Sequence, residues 1–526
     1  MLPMLPPPAL RAPSAWEQAT TSSSIGRSAM EESCSSNWPA TPCAAATTAA
    51  ADKSNCTVGS TNNSPSEQVG HGDSLIYSLP YLPEDIWRHI HSLMPMSAAA
   101  RAACLSHSFL NSWRFHPNLT LNFKTLCPRT SRGNFRCKID SILRNHLGTA
   151  KILKLNVADE DSTYPYIDRW LEVAVTPGIE ELTLTLHKKY IFACSLLSDG
   201  VRDSIRCLEL NLCAFHPMAE LGPLRSLTKL HLRCVRITGD ELRVPSFQLP
   251  CFGAVETLRM QQDKFPEDTH LSCLTVSSCF RLQVIVCEAP NLSSIFLCGE
   301  IKLSLGEALT MKALLMRRPN VVCYARAQLP SIMPNLETME LGSDSEAVNI
   351  PMLPTKFLYL KHLTIQIAGG TFSPSYDYFF LVSFVDASPS LETLYLDVCQ
   401  DDMAHESIIE SSSPHLRQLP ELSHDCLKSV KILGFNSAKS LVELTCCIVK
   451  AAVSLERLVL DTLRGGDDRC CGESNGKICW PVSNAVLKES ARAAIAVRRY
   501  IEDKDSPTTT LTLVEPCTRC HSLAFG

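Results

Sequence analysis

The sequence predicts an α/β fold in which a short all-helical unit precedes an irregular solenoid with a curved parallel sheet. Three observations predict it: a helix–proline–helix pattern near residue 82, a hydrophobic six-residue template that returns about a dozen times after residue 150, and the composition. At 526 residues, 45% hydrophobic and 20% charged, the chain is long enough for several domains or for one large repeat array with a buried core.

The N-terminal tail, residues 1–74, is poor in large apolar side chains and rich in Ser, Thr, Ala and Asn, as in "AATTAAADKSNCTVGSTNNSPSEQ". A segment of this composition buries too little surface to offset its chain entropy, so we predict that it is disordered. Met1 and Met30 both qualify as the start of translation, and the sequence does not decide between them.

Residues 75–122 form the predicted helical unit, which contains "LPEDIWRHIHSLMP" from Leu82 to Pro95. Pro83 suits the first helical position, and the two acids after it suit the positive end of the helix dipole. Ile86, Ile90 and Leu93 follow at the spacing of one helix face. Pro95 ends this helix, and a second one is predicted between Ser97 and Pro117. On this pattern alone, the unit could simply cap the end of the solenoid.

The repeat is the template L-x-x-L-x-L. Most copies start 21 to 31 residues apart, close to the period of leucine-rich repeats, in which a strand and a returning segment stack on their neighbours. We assign the solenoid to residues 123–416, and the last copies fall in a C-terminal region, residues 417–526. A longer gap holds a weak copy at Met311, Leu314 and Met316. The copies start at Ile152, Ile179, Ile205, Leu227, Val255, Leu271, Leu292, Leu336, Leu360, Leu391, Leu427 and Leu455.

Strand geometry predicts which residues of each copy face outward. The leucines point to the core, and the residues that alternate with them line the concave side of the sheet, where a target would bind. The alternative to a binding surface is a solvated sheet face without a binding role. The candidate target-binding residues are Glu209, Asn211, Lys229, His231, Arg233, Arg259, Gln261, Thr364, Gln366, Tyr395 and Asp397.

The 25 cysteines are read as reduced thiols, because no secretory signal precedes them. Cys213, Cys279 and Cys399 occupy the Asn/Cys position that follows the repeat template, where a buried structural role is expected. The stretch "CTRCH", Cys517–His521, has the form of a haem attachment site or half a zinc site. A second ligand pair at regular spacing is missing, and we expect neither a metal nor another cofactor.

Charge and motifs exclude several functions. The net charge is −5 and no basic stripe appears, which argues against nucleic-acid binding. The cations Lys488, Arg492, Arg498 and Arg499 are interspersed with Glu489 and Glu502 and predict a solvated helix face. No apolar run is long enough for a membrane span, and no phosphate loop, H-E-x-x-H or G-x-S-x-G motif occurs. We therefore expect a non-enzymatic protein of the nucleus, the cytoplasm or both.

The helical unit resembles the F-box in "LPEDIWRHIHSLMPMSAAARAACLSHSFLNSW". The departures from the usual pattern are Trp87, Met94, Ala98 and Phe109, and all but Ala98 keep the apolar character. The resemblance covers about 40 residues, and the matching residues are Leu82, Pro83, Asp85, Ile86, Ile90, Ser92, Leu93, Pro95, Ala99, Arg101, Ser106 and Trp113.

The C-terminal region resembles, more loosely, the FBD region of plant F-box proteins with leucine-rich repeats. This match rests on Cys426, Leu427, Val430, Ile432, Gly434, Phe435, Glu443 and Leu455.

These resemblances imply a substrate receptor of an SCF-type cullin-RING ubiquitin ligase. Such a receptor docks on a Skp-type adaptor, which links it to the cullin-RING complex, while the repeats hold a protein target of unknown identity. A leucine-rich-repeat interaction scaffold without a ligase stays the alternative. The implied adaptor contacts are Leu82, Pro83, Ile86, Ile90, Leu93, Leu105 and Trp113.

Overall fold

The fold is taken from a computed structural model, whose described residues all lie within one structural unit, residues 80–526. They are residues 82–127, 135–158, 161–215, 224–237, 256–260, 270–279, 282–287, 289–305, 308–346, 355–367, 376–398, 405–411, 415–463, 482–502 and 509–516.

The helices alternate with short strands along the chain. The α-helices are α1 Glu84–Leu93, α2 Met96–Ala102, α3 His107–Trp113, α4 Phe123–Leu126, α5 Phe135–Asn145, α6 Ile167–Ala174, α7 Asp199–Ser204, α8 Val321–Ile332, α9 Val382–Ala387, α10 Lys439–Ala451 and α11 Asn484–Tyr500. Short 3₁₀ helices span Asp161–Tyr166, Cys194–Leu196 and Tyr378–Leu381.

The strands are shorter than most helices and mostly five or six residues long. They are β1 Asn118–Asn122, β2 Ile152–Asn156, β3 Glu181–Thr185, β4 Ile191–Phe192, β5 Cys207–Asn211, β6 Ala214–Phe215, β7 Lys229–Arg233, β8 Arg236–Ile237, β9 Glu256–Met260, β10 Cys273–Ser277, β11 Leu282–Cys287, β12 Ser294–Cys298, β13 Lys302–Leu305, β14 Ala313–Arg317, β15 Thr338–Ser343, β16 His362–Ile367, β17 Thr393–Val398, β18 Ser429–Leu433, β19 Arg457–Asp461 and β20 Thr510–Val514.

The main sheet contains fourteen of the described strands, in the order β1-β2-β3-β5-β7-β10-β12-β14-β15-β16-β17-β18-β19-β20. Each pairs in parallel with its neighbours, for example Leu208 with Leu230 and Leu314 with Met339. Parallel neighbours need a crossover between them, and helices such as α8 and α10 lie in these crossovers. The predicted α/β fold with a large parallel sheet is confirmed, and the weak copy at Met311 is the strand β14.

The core lies on one side of the main sheet. The second and fourth residues of nearly every strand are buried, as Leu208 and Leu210 are in β5 and Leu458 and Leu460 in β19. Burying one such side chain stabilises the fold by roughly 1.5–3 kcal/mol, so the stacked leucines hold successive repeats together. The first, third and fifth residues point to the other side of the sheet, which we call the open face.

The ends of the strands share a turn with positive φ. Leu212, Cys234, Ser278, Gly299 and Gly434 each directly follow a main-sheet strand and have φ between +50° and +127°. The Leu212 and Cys234 amides still donate to a carbonyl of the next strand, at 3.1 and 2.8 Å. In these two turns the backbone hydrogen bonds between neighbouring strands therefore continue for one residue beyond the end of the strand.

The copy at Val255 does not form a main-sheet strand, which corrects the sequence prediction. Strand β7 pairs directly with β10, Leu230 with Leu274, and β9 instead pairs with β11 in a separate sheet of order β13-β11-β9. About two repeat lengths of chain thus separate two adjacent strands. The template predicts a strand with alternating burial, but it does not specify on which side of the solenoid that strand lies.

The predicted structural cysteines lie in the core. Cys213 and Cys279 are buried, and burial raises the pKa of each thiol to about 12. The Cys279 thiol lies 3.7 Å from the carbonyl oxygen of Leu232, to which it donates. Both groups therefore stay protonated and unreactive near neutral pH. Cys399 lies outside the described residues.

Helix α11 exposes Lys488, Arg498 and Arg499, as predicted for a solvated helix face, but one of its acids, Glu489, faces inward. Glu489 is buried, and its Oε1 accepts hydrogen bonds from the Ser437 amide at 2.7 Å, the Ser437 hydroxyl at 2.6 Å and His405 Nε2 at 3.0 Å. Arg492 pairs with Glu410 and Glu489. The charges on this face of α11 fasten the helix to the loops around residues 405 and 437.

Candidate functional site

The helical unit is held together by an aromatic cluster between α1 and α3. The rings of Trp87 and Phe109 meet edge to face with centroids 4.7 Å apart, and His91 packs against Phe109 at 5.4 Å. Ser106 caps α3 by accepting a hydrogen bond from the Phe109 amide at 3.1 Å. These contacts fix one face of α1 inward, and Phe109, a departure from the F-box pattern, serves as the centre of the cluster.

Two residues tie this unit to the main sheet. His116 is buried, and its Nε2 donates to the Met94 carbonyl at 3.2 Å while its Nδ1 accepts from the Asn118 amide at 3.1 Å. The sulfur of Met96 accepts from the Thr120 amide at 3.1 Å. Strand β1, Asn118–Asn122, begins within the range predicted for the helical unit, so this unit is joined to the first strand without a spacer.

The predicted adaptor contacts divide by exposure. Leu93 and Leu105 are 74% and 77% exposed, and Ile86 is 40% exposed. Pro83 is also exposed, and Leu82 and Ile90 are half-buried. Trp113 is half-buried, packs against the core and lies 5.6 Å from the His116 ring. Apolar side chains thus remain uncovered on a unit whose other face is packed.

The third residues of the strands form one row along the open face. Backbone pairing places them side by side in a fixed order. From β5 to β18 the row is Glu209, His231, Thr275, Phe296, Leu315, Glu340, Thr364, Tyr395 and Lys431. Of the predicted target-binding residues, this row brings together Glu209, His231, Thr364 and Tyr395, whereas Asn211, Arg233, Gln366 and Asp397 lie in the row formed by the fifth residues of the strands.

The part of this face on β5 and β7 is polar. The Nδ1 atom of His231 hydrogen-bonds to the Thr275 hydroxyl at 2.7 Å, and burial lowers the pKa of His231, which favours its neutral form. Lys229 is exposed, and the Nε of the half-buried Arg233 has no hydrogen-bond partner among the described residues. Burial and the nearby Glu181 raise the pKa of the Cys207 thiol to about 11. The fixed charges that β7 presents on this face, those of Lys229 and Arg233, are therefore positive.

The part on β14 to β18 contains paired charges. Arg317 Nη2 lies 3.0 Å from Glu340 Oε1, and Lys431 Nζ lies over the ring of Tyr395 at 5.5 Å. Phe296 on β12 and Leu315 on β14 are half-buried neighbours where the second part begins. Sequence reasoning missed these two residues, although "LSSIFL" places Phe296 at the same alternating position as His231.

One predicted target residue does not join this face, and another lies outside the described residues. Arg259 lies on β9 in the separate three-stranded sheet, because the main sheet passes directly from β7 to β10. Gln261 lies outside the described residues, as does the Cys517–His521 motif. Within the described ranges, no group of three or more His, Cys, Asp or Glu residues is arranged to hold a metal ion. No helix in the same ranges is long and apolar enough to cross a bilayer.

A parallel sheet built from L-x-x-L-x-L strands, with the leucines inward and the returns stacked, defines a leucine-rich-repeat protein. Residues 142–518 match the family model described as "At1g61320/AtMIF1, LRR domain", and the chain belongs to this family. The match covers nearly all of the main sheet except β1.

Two proteins of Arabidopsis thaliana are similar to part of the chain. The chain is 25% identical over 179 residues to "F-box protein At5g03100", covering 34% of this chain and 53% of that protein. It is 25% identical over 169 residues to "Putative F-box/LRR-repeat protein At3g28410", covering 31% and 33% respectively. The chain thus spans about half the length of the first relative and a third of the second.

Proposed function

We propose that this protein is the substrate-recognition subunit of an SCF-type cullin-RING ubiquitin ligase in the nucleus or cytoplasm. In this proposal the F-box of residues 75–122 docks on a Skp-type adaptor, and the adaptor connects it to the cullin-RING complex. Residues 123–416 bind the target, and residues 417–526 form an FBD-like end with terminal repeats. The tail of residues 1–74, which the sequence predicts to be disordered, lies outside the described residues. The names of the two similar Arabidopsis proteins support the F-box assignment.

The observation that carries the proposal is the uncovered apolar surface of the helical unit. Leu93 and Leu105 are about three quarters exposed although the other face of the unit packs tightly around Phe109. Leu93 ends α1 and Leu105 lies between α2 and α3, and exposed apolar side chains of this kind can enter an apolar groove on a partner. A unit that served only as a cap would have a polar outer face instead.

The proposed role requires no chemistry from this chain. A receptor holds its target beside the conjugating enzyme, so that target lysines meet the activated ubiquitin at high effective concentration. The adaptor surface and the target surface therefore act independently. The exposed apolar residues of the helical unit bind the adaptor, and the open face of the main sheet binds the target.

The test is a pull-down of the full chain with a recombinant Skp-type adaptor. Leu93→Ala with Leu105→Ala should lower adaptor affinity by about two to four decades, since each leucine contributes roughly 1.5–3 kcal/mol when buried. The matched control is Leu309→Ala with Leu358→Ala, two leucines of the repeat region that are 57% and 54% exposed. The control should bind like the unchanged protein.

The outcome that contradicts the proposal is equally definite. If the folded Leu93/Leu105 double variant binds the adaptor as well as its control, these helices do not form the docking surface. If the unchanged chain binds no Skp-type adaptor, the alternative of a repeat scaffold without a ligase replaces the proposal. Circular dichroism and thermal unfolding of every variant separate lost docking from lost folding.

A further inference from the structure

The middle of the open face, on β7, β10, β12 and β14, combines an apolar pair with two cations that form no ion pair with a described carboxylate. We call Lys229, Arg233, Phe296 and Leu315 the central patch. Phe296 and Leu315 are paired in register on adjacent strands and remain half-buried on a face where other central residues are polar. Two large apolar side chains side by side on a sheet face can hold one apolar side chain of a partner.

The charges of the patch have one sign. On these four strands, the described residues that point to the open face include no carboxylate; Glu209 and Glu340 lie on the flanking strands β5 and β15. Arg317 is paired with Glu340 and adds little net charge. Lys229 is exposed, and the buried Nε of Arg233 has no hydrogen-bond partner in the described part of the chain. The exposed Lys229 ammonium and the half-buried Arg233 side chain can both donate hydrogen bonds to the carboxylates of a partner.

The spacing sets the length of the partner segment. Strands β7 and β12 are separated by β10, and Arg233 lies two residues further along its strand than Phe296, so the two residues are roughly 12 Å apart. An extended peptide covers this distance in about three to four residues. A carboxylate and an apolar side chain about three to four residues apart would therefore reach both parts of the patch.

We infer that the central patch binds an acidic peptide segment that carries one aromatic or branched apolar anchor. The segment runs across the strands, its anchor on Phe296 and Leu315 and its carboxylates at Lys229 and Arg233. This inference deepens the target-binding half of the proposed function and rests on it only in taking a protein as the target. Two cations are too few for the phosphate contacts of a nucleic acid, and the apolar pair has no role in such contacts.

The experiment measures fluorescence anisotropy of the full chain with labelled peptide pools of about ten residues. The probe pool has Asp and Glu around one Phe or Leu. The comparison pools replace the acids by Lys and Arg, or the anchor by Ser, and a single-stranded oligouridine of equal charge is the third comparison. We expect the probe pool to bind at least roughly tenfold more tightly than each of these, with an affinity that falls as salt screens the charges.

Variants locate the binding. Lys229→Glu with Arg233→Glu, and separately Phe296→Ala, should each weaken binding of the probe pool by at least roughly tenfold. The matched controls are Lys154→Glu, an exposed lysine of the open face on β2, and Val459→Ala, a half-buried residue of the same row on β19. Both controls should bind within about twofold of the unchanged chain, because they lie outside the patch.

The inference is overturned if the probe pool does not bind, if the basic pool or the oligouridine binds as tightly, or if the patch variants bind like their controls. The milder Arg233→Gln and Phe296→Leu replace any variant that fails to fold. Adaptor pull-down with the same variants distinguishes the two proposals. Loss of peptide binding with adaptor binding intact concerns the patch alone, and failure of adaptor binding with peptide binding intact concerns only the ligase role.

Discussion

Gly434 lies directly against the carbonyl oxygen of Val398, on the neighbouring strand β17, so that a Cβ on Gly434 would collide with that oxygen. Its φ is +67°. Leu212, Cys234 and Ser278 adopt similar angles at the same place after their strands, so the angle alone tolerates a side chain. What requires glycine here is the approach of the Val398 carbonyl.

Gly434→Ala should therefore lower the free energy of unfolding by more than about 2 kcal/mol, since either β17 or β18 must move. Chemical denaturation followed by circular dichroism measures the loss. Ser278→Ala is the control, because it keeps a side chain at φ +53°, and it should stay within about 0.5 kcal/mol of the unchanged protein. Equal losses in the two variants would refute the collision argument.

His116 should make stability depend on pH. Burial lowers its pKa below the ordinary value of 6.5 despite its hydrogen bond to the Met94 carbonyl. The folded chain then binds this proton less readily than the unfolded chain, so stability is present above about pH 6.5 and falls as the pH drops through that value. His116→Ala should destabilise the protein near pH 7.5 by about 1–3 kcal/mol and flatten this slope.

The measurement for His116 is a series of denaturant curves between pH 7.5 and 5 on both proteins. Burial also lowers the pKa of His231, so the difference between the two curves, not either curve alone, reports His116. His107→Ala, on the exposed side of α3, should change stability near pH 7.5 by less than about 0.5 kcal/mol. If the pH dependence of stability is the same in His116→Ala as in the unchanged protein, other titrating groups cause it.

Glu489 should make stability depend on pH in a more acidic range than His116 does. Although its burial disfavours the charge, hydrogen bonds from His405 and Ser437 lower its pKa to about 2. Its stabilising contribution is present above the unfolded pKa and is lost as the pH falls from about 5 towards 2. Glu489→Gln should lower stability at pH 7 by about 2–3 kcal/mol, and by less at pH 3.

The control for Glu489 is Glu515→Gln, which breaks an exposed ion pair with Arg498. Exposed pairs contribute about 0–1 kcal/mol, so this variant should unfold almost like the unchanged protein. If the two variants lost equal stability, or if the loss in Glu489→Gln did not shrink in acid, the assigned role of the buried carboxylate would be wrong.

Arg417 should matter more than its partial exposure suggests. Glu443 is fully buried, and Arg417 provides two of its hydrogen bonds, from the amide at 2.8 Å and from Nε at 2.6 Å. The same guanidinium pairs with Asp377. Arg417→Ala leaves the buried carboxylate without its cation and should lower stability by about 2–4 kcal/mol.

A double-mutant cycle tests the Arg417–Glu443 interaction. Arg417→Ala combined with Glu443→Gln should lose clearly less than the two single losses together, because the second change removes the unpaired charge. Arg457→Ala, an exposed arginine on β19, is the control for the loss of an arginine as such. Simple additivity in the cycle would show that Arg417 stabilises the fold by some other contact.

The sequence predicts most of the main sheet because the burial of each strand repeats with a period of two, a local signal. It does not predict that β9 lies outside the main sheet, because the same alternating template fits a strand on either side of a solenoid. Nor does it find the ties of Arg417 to Glu443 or of His405 to Glu489, whose partners are 26 and 84 residues apart. Phe296 and Leu315 could have been predicted, because the alternation of core and open-face residues that selects His231 also selects them.

The pairing of β7 with β10 across a long return segment has a consequence for how this surface can vary. Every position on the open face is defined by two coordinates, the strand and the place within it, on a lattice of about 4.8 Å by about 6.8 Å. The residues of the chain between Arg233 and Cys273 leave these coordinates unchanged, because β7 and β10 pair directly in register. Insertions and deletions between two paired strands can accumulate in evolution without moving the residues that meet a partner, so chain length and binding preference are free to diverge separately.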